Sequence, residues 1–210
     1  MRKIFLSSIF LLLSLSLVAQ EEDKVKKCFQ DYKQAVLAEE ADAALALISS
    51  KTTDYYGEII KLALHADKAE LDARSLTDKI TVMRIRMSMK EADLKGMDGK
   101  KFFVYGIKEG LVDKKGMQNV DIGEIKVEGK EAKGAFVING QSAPYFFKFD
   151  KENNQWKFDL TALFDITNQG LASVIEQTGI TENEFLMEAL SAIALEGELV
   201  GDNLWEPMAK

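Results

Sequence analysis

The chain has 210 residues, 47% hydrophobic and 29% charged, and its 34 acids against 27 lysines and arginines give a net charge of −7. That length suits one domain with its own core, and the acidic balance excludes a basic footprint for nucleic acid or anionic lipid. A single cysteine, Cys28, excludes a disulfide within the chain, and two prolines with no Pro- or Ser-rich stretch argue against a flexible linker between modules.

The N-terminus reads as an export signal. Met1-Arg2-Lys3 is a short basic start, Ile4 to Val18 is an almost unbroken apolar run, and Ala19 is a small residue at a cut site. Cleavage after Ala19 makes 1–19 the signal peptide, leaves Gln20 as the new N-terminus and moves the net charge to about −9. The run of about 15 apolar residues falls short of the roughly 20 that a spanning helix needs, so no stable membrane anchor remains after cleavage. A retained anchor is the competing reading. A lipoprotein needs a cysteine at the cut, and Cys28 lies beyond it. The expected localisation is exported, periplasmic or extracellular, with residues 20–210 forming a single domain.

Beyond Gln20 the first half reads helical. Val25, Cys28, Phe29, Tyr32, Ala35 and Val36 recur at helical spacing and predict a helix over about 22–38, with Cys28 a small apolar residue on its buried stripe. Ala41, Ala44, Leu45 and Ile48 predict a second, short helix. Residues 49–53 break it, and Thr53 is placed to cap a third that carries Tyr55, Tyr56, Ile59, Ile60, Ala63 and Leu64. Asp67 with Glu70, and Ser88 with Glu91, are spaced as capping pairs for further short helices. Residues 76–90 fit both periods. Leu76, Ile80, Met83 and Met87 are helically spaced while 83–90 alternates, and the Leu, Met, Arg and Lys content favours a helix to about residue 87.

From residue 97 the pattern predicts strands. Lys101 to Ile107 is rich in aromatic and β-branched residues. Val120 to Val127 alternates with a phase change near Gly123-Glu124, the mark of a bulge. A turn at 128–130 leads to a strand ending at Ile138, and Asn139-Gly140 demands a type I′ hairpin. Tyr145 to Phe149, a polar loop over 150–154, and Trp156 to Leu160 follow. Two helices close the chain. One runs over about 162–178, with Leu171, Val174 and Ile175 inward and Gly179 as its stop. The other is opened by the Thr181/Glu184 capping box and carries Phe185, Leu186, Ala189, Leu190 and Ile193. Trp205 is too apolar to leave in water and is expected to dock back. The fold class is therefore α+β: a helical N-terminal half packed on a curved antiparallel sheet of four to six strands, with a C-terminal helical extension.

No catalytic constellation is written here. Gly140-Gln141-Ser142 lacks the second glycine of a nucleophile elbow, and no paired cysteines, zincin motif or phosphate loop occurs. His65 is the only histidine and sits near a helix end. No metal site, cofactor or catalytic residue is assigned. Glu21-Glu22-Asp23 and Glu39-Glu40 read as solvated faces, and Asp159 as an exposed strand residue. Asp121, Glu124 and Asp159 become acid–base candidates only where one points into an apolar concavity. Arg84 and Arg86 read as surface cations, or Arg84 as a grip on an anionic ligand. The aromatic residues are core, or line a cavity on the hollow side of the sheet. Tyr56, Arg84, Tyr105, Tyr145 and Trp156 are thus the candidate ligand-binding residues, and Trp205 the candidate interaction residue.

The helix holding Phe29-Gln30-Asp31-Tyr32-Lys33-Gln34-Ala35, the alanine-rich helix after it and the long antiparallel sheet together resemble the NTF2-like (SnoaL/ketosteroid-isomerase-like) superfamily, in particular exported bacterial members. The resemblance covers Phe29 to Leu160 and rests on element order. It implies a cone-shaped cavity between sheet and helices, and a ligand-binding, isomerase or dehydratase, or purely associative role. The superfamily's isomerases use an Asp base with a Tyr and a second acid, and no residue here matches that set.

The functional expectation is an exported, non-catalytic domain that binds a small apolar or amphipathic ligand, or a partner protein, on the concave sheet face. The alternatives are an isomerase- or lyase-type enzyme using a buried carboxylate with Tyr105 or Tyr145, and an interaction module docking through the C-terminal helix. A homodimer is among the partners to test.

Overall fold

In the computed structural model, residues 2–110 and 114–209 are described, with side chains from Val18 onward. The elements in order are α1 (Arg2–Leu37), α2 (Ala41–Leu45), α3 (Ser50–His65), α4 (Lys68–Asp72), α5 (Leu76–Ser88), α6 (Glu91–Lys95), α7 (Gly99–Lys108), α8 (Lys114–Asn119), β1 (Val120–Glu128), β2 (Glu131–Ile138), β3 (Gln141–Glu152), β4 (Gln155–Asp159), α9 (Phe164–Thr178) and α10 (Glu182–Ile193), with 3-10 turns at Leu160–Leu163 and Asp202–Trp205. This is the expected α+β class, with four strands. Among the described residues no helix is long and apolar enough to cross a membrane. The chain divides into two compact units, each built from discontinuous segments: residues 1–50 with 104–160, and 51–103 with 161–210.

The first unit holds the sheet, an antiparallel meander in the order β1-β2-β3-β4. Helix α1 carries one stripe inward, burying Val25, Cys28, Phe29, Tyr32 and Val36. Phe29 meets Phe147 (ring centroids 4.9 Å apart) and Phe158 (5.9 Å), and Tyr32 meets Phe158 edge-on at 5.1 Å. Phe149 stacks on Phe158 at 5.0 Å. Two-residue periodicity puts Phe147 and Phe149 on the same side of β3, and the register sets Phe158 opposite Phe149, so one sheet face is a continuous aromatic layer under α1. The predicted bulge is present: the β1–β2 register shifts between Ile122 and Ile125. Asn139 (φ 50°) and Gly140 (φ 76°) make the predicted hairpin turn.

The second unit is helical. Ile59, Ile60, Ala63, Leu71, Val82, Met83, Ile85, Leu94, Phe102, Leu186 and Leu190 form its core, and Leu204 and Trp205 close it from the tail. Asp67/Glu70 and Thr181/Glu184 are both complete capping boxes, and Gly179 ends α9 in the left-handed conformation. The ambiguous segment 76–90 is helix α5, capped by Ser75.

Several expectations need correction. Residues 101–107 are helical, in α7, not a strand. Asp98 opens that helix: its carboxylate accepts from the Lys101 N–H at 2.8 Å, and its carbonyl from the Phe102 N–H. Phe102 and Phe103 are both buried, as is Ile107 four residues on, an arrangement that one helix face supplies and a strand covered on one face does not. Gly99 lets α7 start against α3, since a Cβ there would lie 1.8 Å from the Thr53 carbonyl oxygen. Thr53 itself is inside α3, which begins at Ser50. Ser88 caps nothing: its hydroxyl donates back to the Arg84 carbonyl, and α6 starts after Lys90 with no side-chain cap. Ile48 is not helical but bridges to Phe158 on the outer edge of β4. Asn153 and Asn154, both at positive φ, turn the chain in two residues, so β3 runs on through the expected loop to Glu152. Val174 is exposed.

Candidate functional site

The candidate ligand residues do not fall in one unit. Tyr56 and Arg84 belong to the helical unit, and Tyr105, Tyr145 and Trp156 to the sheet unit.

In the helical unit Tyr56 packs among rings, 5.4 Å from Tyr55, 5.6 Å from Phe102 and 6.2 Å from Phe103. Burial pushes its phenol up to about 12. Tyr55 donates its hydroxyl to Asp78 at 2.7 Å and rests on Phe164 at 4.5 Å. Burial, then the hydrogen bond to the Asp78 carboxylate, raises the Tyr55 phenol well above its usual value. This is a Tyr–carboxylate pair, built on Tyr55. A phenol held this way retains its proton, and the pair ties α3 to α5.

Arg84 and Arg86 correct the surface-cation reading. The Arg84 guanidinium donates to the carbonyl of Ile193, the last residue of α10. Arg86 donates to four main-chain carbonyls: Ala63 at 3.0 Å, Leu62 at 2.9 Å, Ala66 at 2.6 Å and Leu204 at 3.0 Å. Three of these lie at the C-terminal end of α3. Two positions apart on α5, the arginines serve two different helix ends, where the last carbonyls and the helix dipole attract a cation. Burial lowers the Arg86 guanidinium to about 10, with Glu206 opposing. Lys79, 5% exposed, reaches Glu182 at the start of α10 at 2.5 Å. Trp205 is buried at 5% exposure under the Lys68 ammonium, 3.6 Å from its ring.

In the sheet unit Trp156 is also buried, and its indole N–H donates to Glu21 at 2.8 Å. Glu21 accepts from Lys151 and from Lys24 as well. Hydrogen bonds from Lys151 and Lys24 hold its carboxyl at about 2, against a smaller opposing effect of burial. The solvated-face reading of Glu21 is therefore corrected. The sequence carried the signal: Glu21 lies four and seven residues before Val25 and Cys28, on the buried stripe of α1. Cys28 donates its thiol to the Trp156 carbonyl at 3.1 Å, and burial pushes it up to about 12, where it stays protonated and unreactive. Asp159 is buried, against the expected exposure. Tyr105 is half-buried on α7, and His65 is exposed at the end of α3. No group of three or more His, Cys, Asp or Glu side chains fit to hold a metal ion occurs among the described residues.

One part of the sheet unit presents apolar side chains to solvent. Ile138 (41% exposed), Tyr145 (39%) and Phe146 (51%) lie towards the turn end of the β2–β3 hairpin, with Phe146, opposite Ala135, on the other face of the sheet from Ile138. The register between Ala135 and Val137 is broken there, and three residues of β3, Ala143 to Tyr145, face a single residue of β2. Pro144 accounts for part of this, since it has no N–H to give to the ladder. Tyr145, within this irregular stretch, is exposed and not part of the buried aromatic layer. No protein-family model, curated protein or solved structure matches this chain.

Proposed function

We propose that this chain is an exported, non-catalytic binding domain that engages a partner protein through the turn end of its β2–β3 hairpin. The observation that carries the reading is the exposed trio Ile138, Tyr145 and Phe146 on one hairpin, in a unit whose other described aromatic side chains are buried or half-buried. Exposed aromatic residues with a polar rim are the composition of protein-binding hot spots. The partner arm of the expectation is favoured over the small-ligand arm because α1 occupies the aromatic sheet face with Phe29 and Tyr32. The NTF2-like reading is part of the same proposal. A helix laid on an antiparallel meander, a short alanine-rich helix and an edge bridge at Ile48 are in keeping with it.

The test is a photo-crosslinking residue at position 146 in cells that express the full chain, with a second at Lys26, exposed on α1. An adduct of one defined mass at 146 and not at 26 supports the reading, and its absence at 146 overturns it. Fractionation of the same cells tests export: the protein should leave the cytoplasm and begin at Gln20. Native mass spectrometry that finds a co-purifying small molecule would return the assignment to the ligand arm.

A further inference from the structure

The outward face of the sheet, opposite the aromatic layer, carries its charges in rows. The register sets Glu128 opposite Glu131 and Glu131 opposite Asp150, an acidic row across β1, β2 and β3. Two residues along each strand, on the same face, Lys126 lies opposite Lys133 and Lys133 opposite Lys148. Like charges directly opposite one another in a ladder are roughly 5 Å apart at Cβ and destabilise it. All six are exposed except the half-buried Asp150. Within the chain, β4 relieves only the third strand, where the register sets Lys157 opposite Asp150 and Asp159 opposite Lys148; on β1 and β2 relief is small. Lys126 comes no nearer than 3.6 Å to Glu124, and Glu128, Glu131 and Lys133 form no ion pair among the described residues.

The pattern that is unfavourable inside one sheet is complementary to itself. Each of the three strands presents an acid and a lysine two residues apart. A two-fold axis lying in the face, midway between the rows and parallel to them, exchanges acids for lysines. Glu128 of one copy then meets Lys126 of the other and Glu131 meets Lys133, with Lys148 and the half-buried Asp150 at the end of each row. Facing sheets stand about 10 Å apart, a gap that one lysine and one carboxylate side chain span together. A partner of single charge sign would gain from one row and be repelled by its neighbour, whereas a second copy supplies the inverse pattern at the same spacing.

We propose that this charged face is an isologous association surface for a second copy of this chain. It uses different residues from the hairpin-end trio and stands or falls independently of that reading.

The experiment is a charge exchange read by sedimentation velocity on the full-length mature protein. Wild type should dimerise, and molar salt, which shortens the screening length to roughly 3 Å, should weaken the dimer about tenfold or more. Lys126→Glu with Lys133→Glu leaves Lys148 as the one lysine in the two rows, and Glu128→Lys with Glu131→Lys leaves Asp150 as the one acid. Each variant alone should associate at least roughly tenfold more weakly than wild type, and an equimolar mixture should form a heterodimer of near wild-type affinity. A monomeric wild type, variants that self-associate as well as wild type, or a mixture that stays monomeric would each overturn the proposal. The wild-type measurement decides even if a variant fails to fold.

Discussion

Replacing Arg86 by methionine should cost the helical unit about 3 kcal/mol, for reasons that can be followed bond by bond. Methionine keeps most of the aliphatic stem and removes every N–H donor. Of the four carbonyls served, that of Leu62 also accepts from the Ala66 N–H and that of Ala63 from the Met208 N–H, so these keep a partner. The Ala66 and Leu204 carbonyls accept no other hydrogen bond among the described residues, and both residues are buried. A buried acceptor left unsatisfied costs about 1–3 kcal/mol, so the two together cost about 2–6 kcal/mol. The lost cation at the end of α3 adds about 0.3–1 kcal/mol. Against this, the burial that holds the guanidinium at about 10 is itself a cost that the substitution removes, which places the net in the lower half of the range. Urea denaturation read by tryptophan fluorescence is the assay, in a Trp156→Phe background so that Trp205, in the same unit as Arg86, is the only reporter. With an m-value of about 2 kcal/mol/M, the midpoint should fall by roughly 1.5 M. The conservative variant Arg86→Lys should recover only part of the loss, because one ammonium cannot reach carbonyls on two chain segments at once. A midpoint shift below about 0.5 M for Arg86→Met, or full recovery by Arg86→Lys, would refute the reasoning.

Glu21 predicts a pH window for the sheet unit. Its carboxyl is held near 2 in the folded chain against an ordinary 4.5, so the stability it contributes is complete above 4.5 and drains away as the pH falls from there towards 2. Urea midpoints read at Trp156 should fall over that window, and Glu21→Gln should flatten the profile; an unchanged profile would remove Glu21 from the account. For Lys79 and Glu182 the order of effects is diagnostic. Glu182→Ala strands a buried ammonium and should cost about 1–3 kcal/mol, less than a fully buried pair because Glu182 is half exposed, while Lys79→Met should be within about 1 kcal/mol of wild type. Thermal melts giving the reverse order would contradict this. Gly99→Ala should cost more than about 3 kcal/mol, since its Cβ meets the rigid Thr53 backbone and not a side chain that can swing aside, and a melt within a few degrees of wild type would contradict the close approach.

What was legible in the sequence was whatever a local rule controls. The Asn139-Gly140 turn, two of the three expected capping pairs, the Gly179 stop and the bulge in β1 each follow from two to four neighbouring residues and are present, whereas the Ser88/Glu91 spacing caps nothing. Helix α7 departs from the reading because Phe102, Phe103, Val104, Tyr105 and Ile107 carry strand propensity; the Asp98 cap is a local signal that this propensity outweighed, and the packing of both phenylalanines depends on tertiary partners. Arg86, Lys79 and Tyr55 were out of reach for the same reason. Their partners lie 20 or more residues away, and no spacing rule connects Arg86 to Leu204 or Lys79 to Glu182. Trp156, read as core or as a ligand residue, and Trp205, expected to dock back, are both buried, and the acid beneath Trp156 comes from a segment read as solvent-facing.

The interleaving of the two units fixes the order in which a chain leaving the ribosome can settle. Synthesis of the first hundred residues yields α1 without the sheet it covers, and α3 to α6 without the tail that closes over them. The sheet unit first has all its parts at Leu160. The helical unit waits almost for the last codon, because the Ala209 N–H bonds the Leu64 carbonyl and Trp205 fills the core. A nascent chain of this protein therefore holds every part of its sheet unit about 50 residues before the helical unit can close.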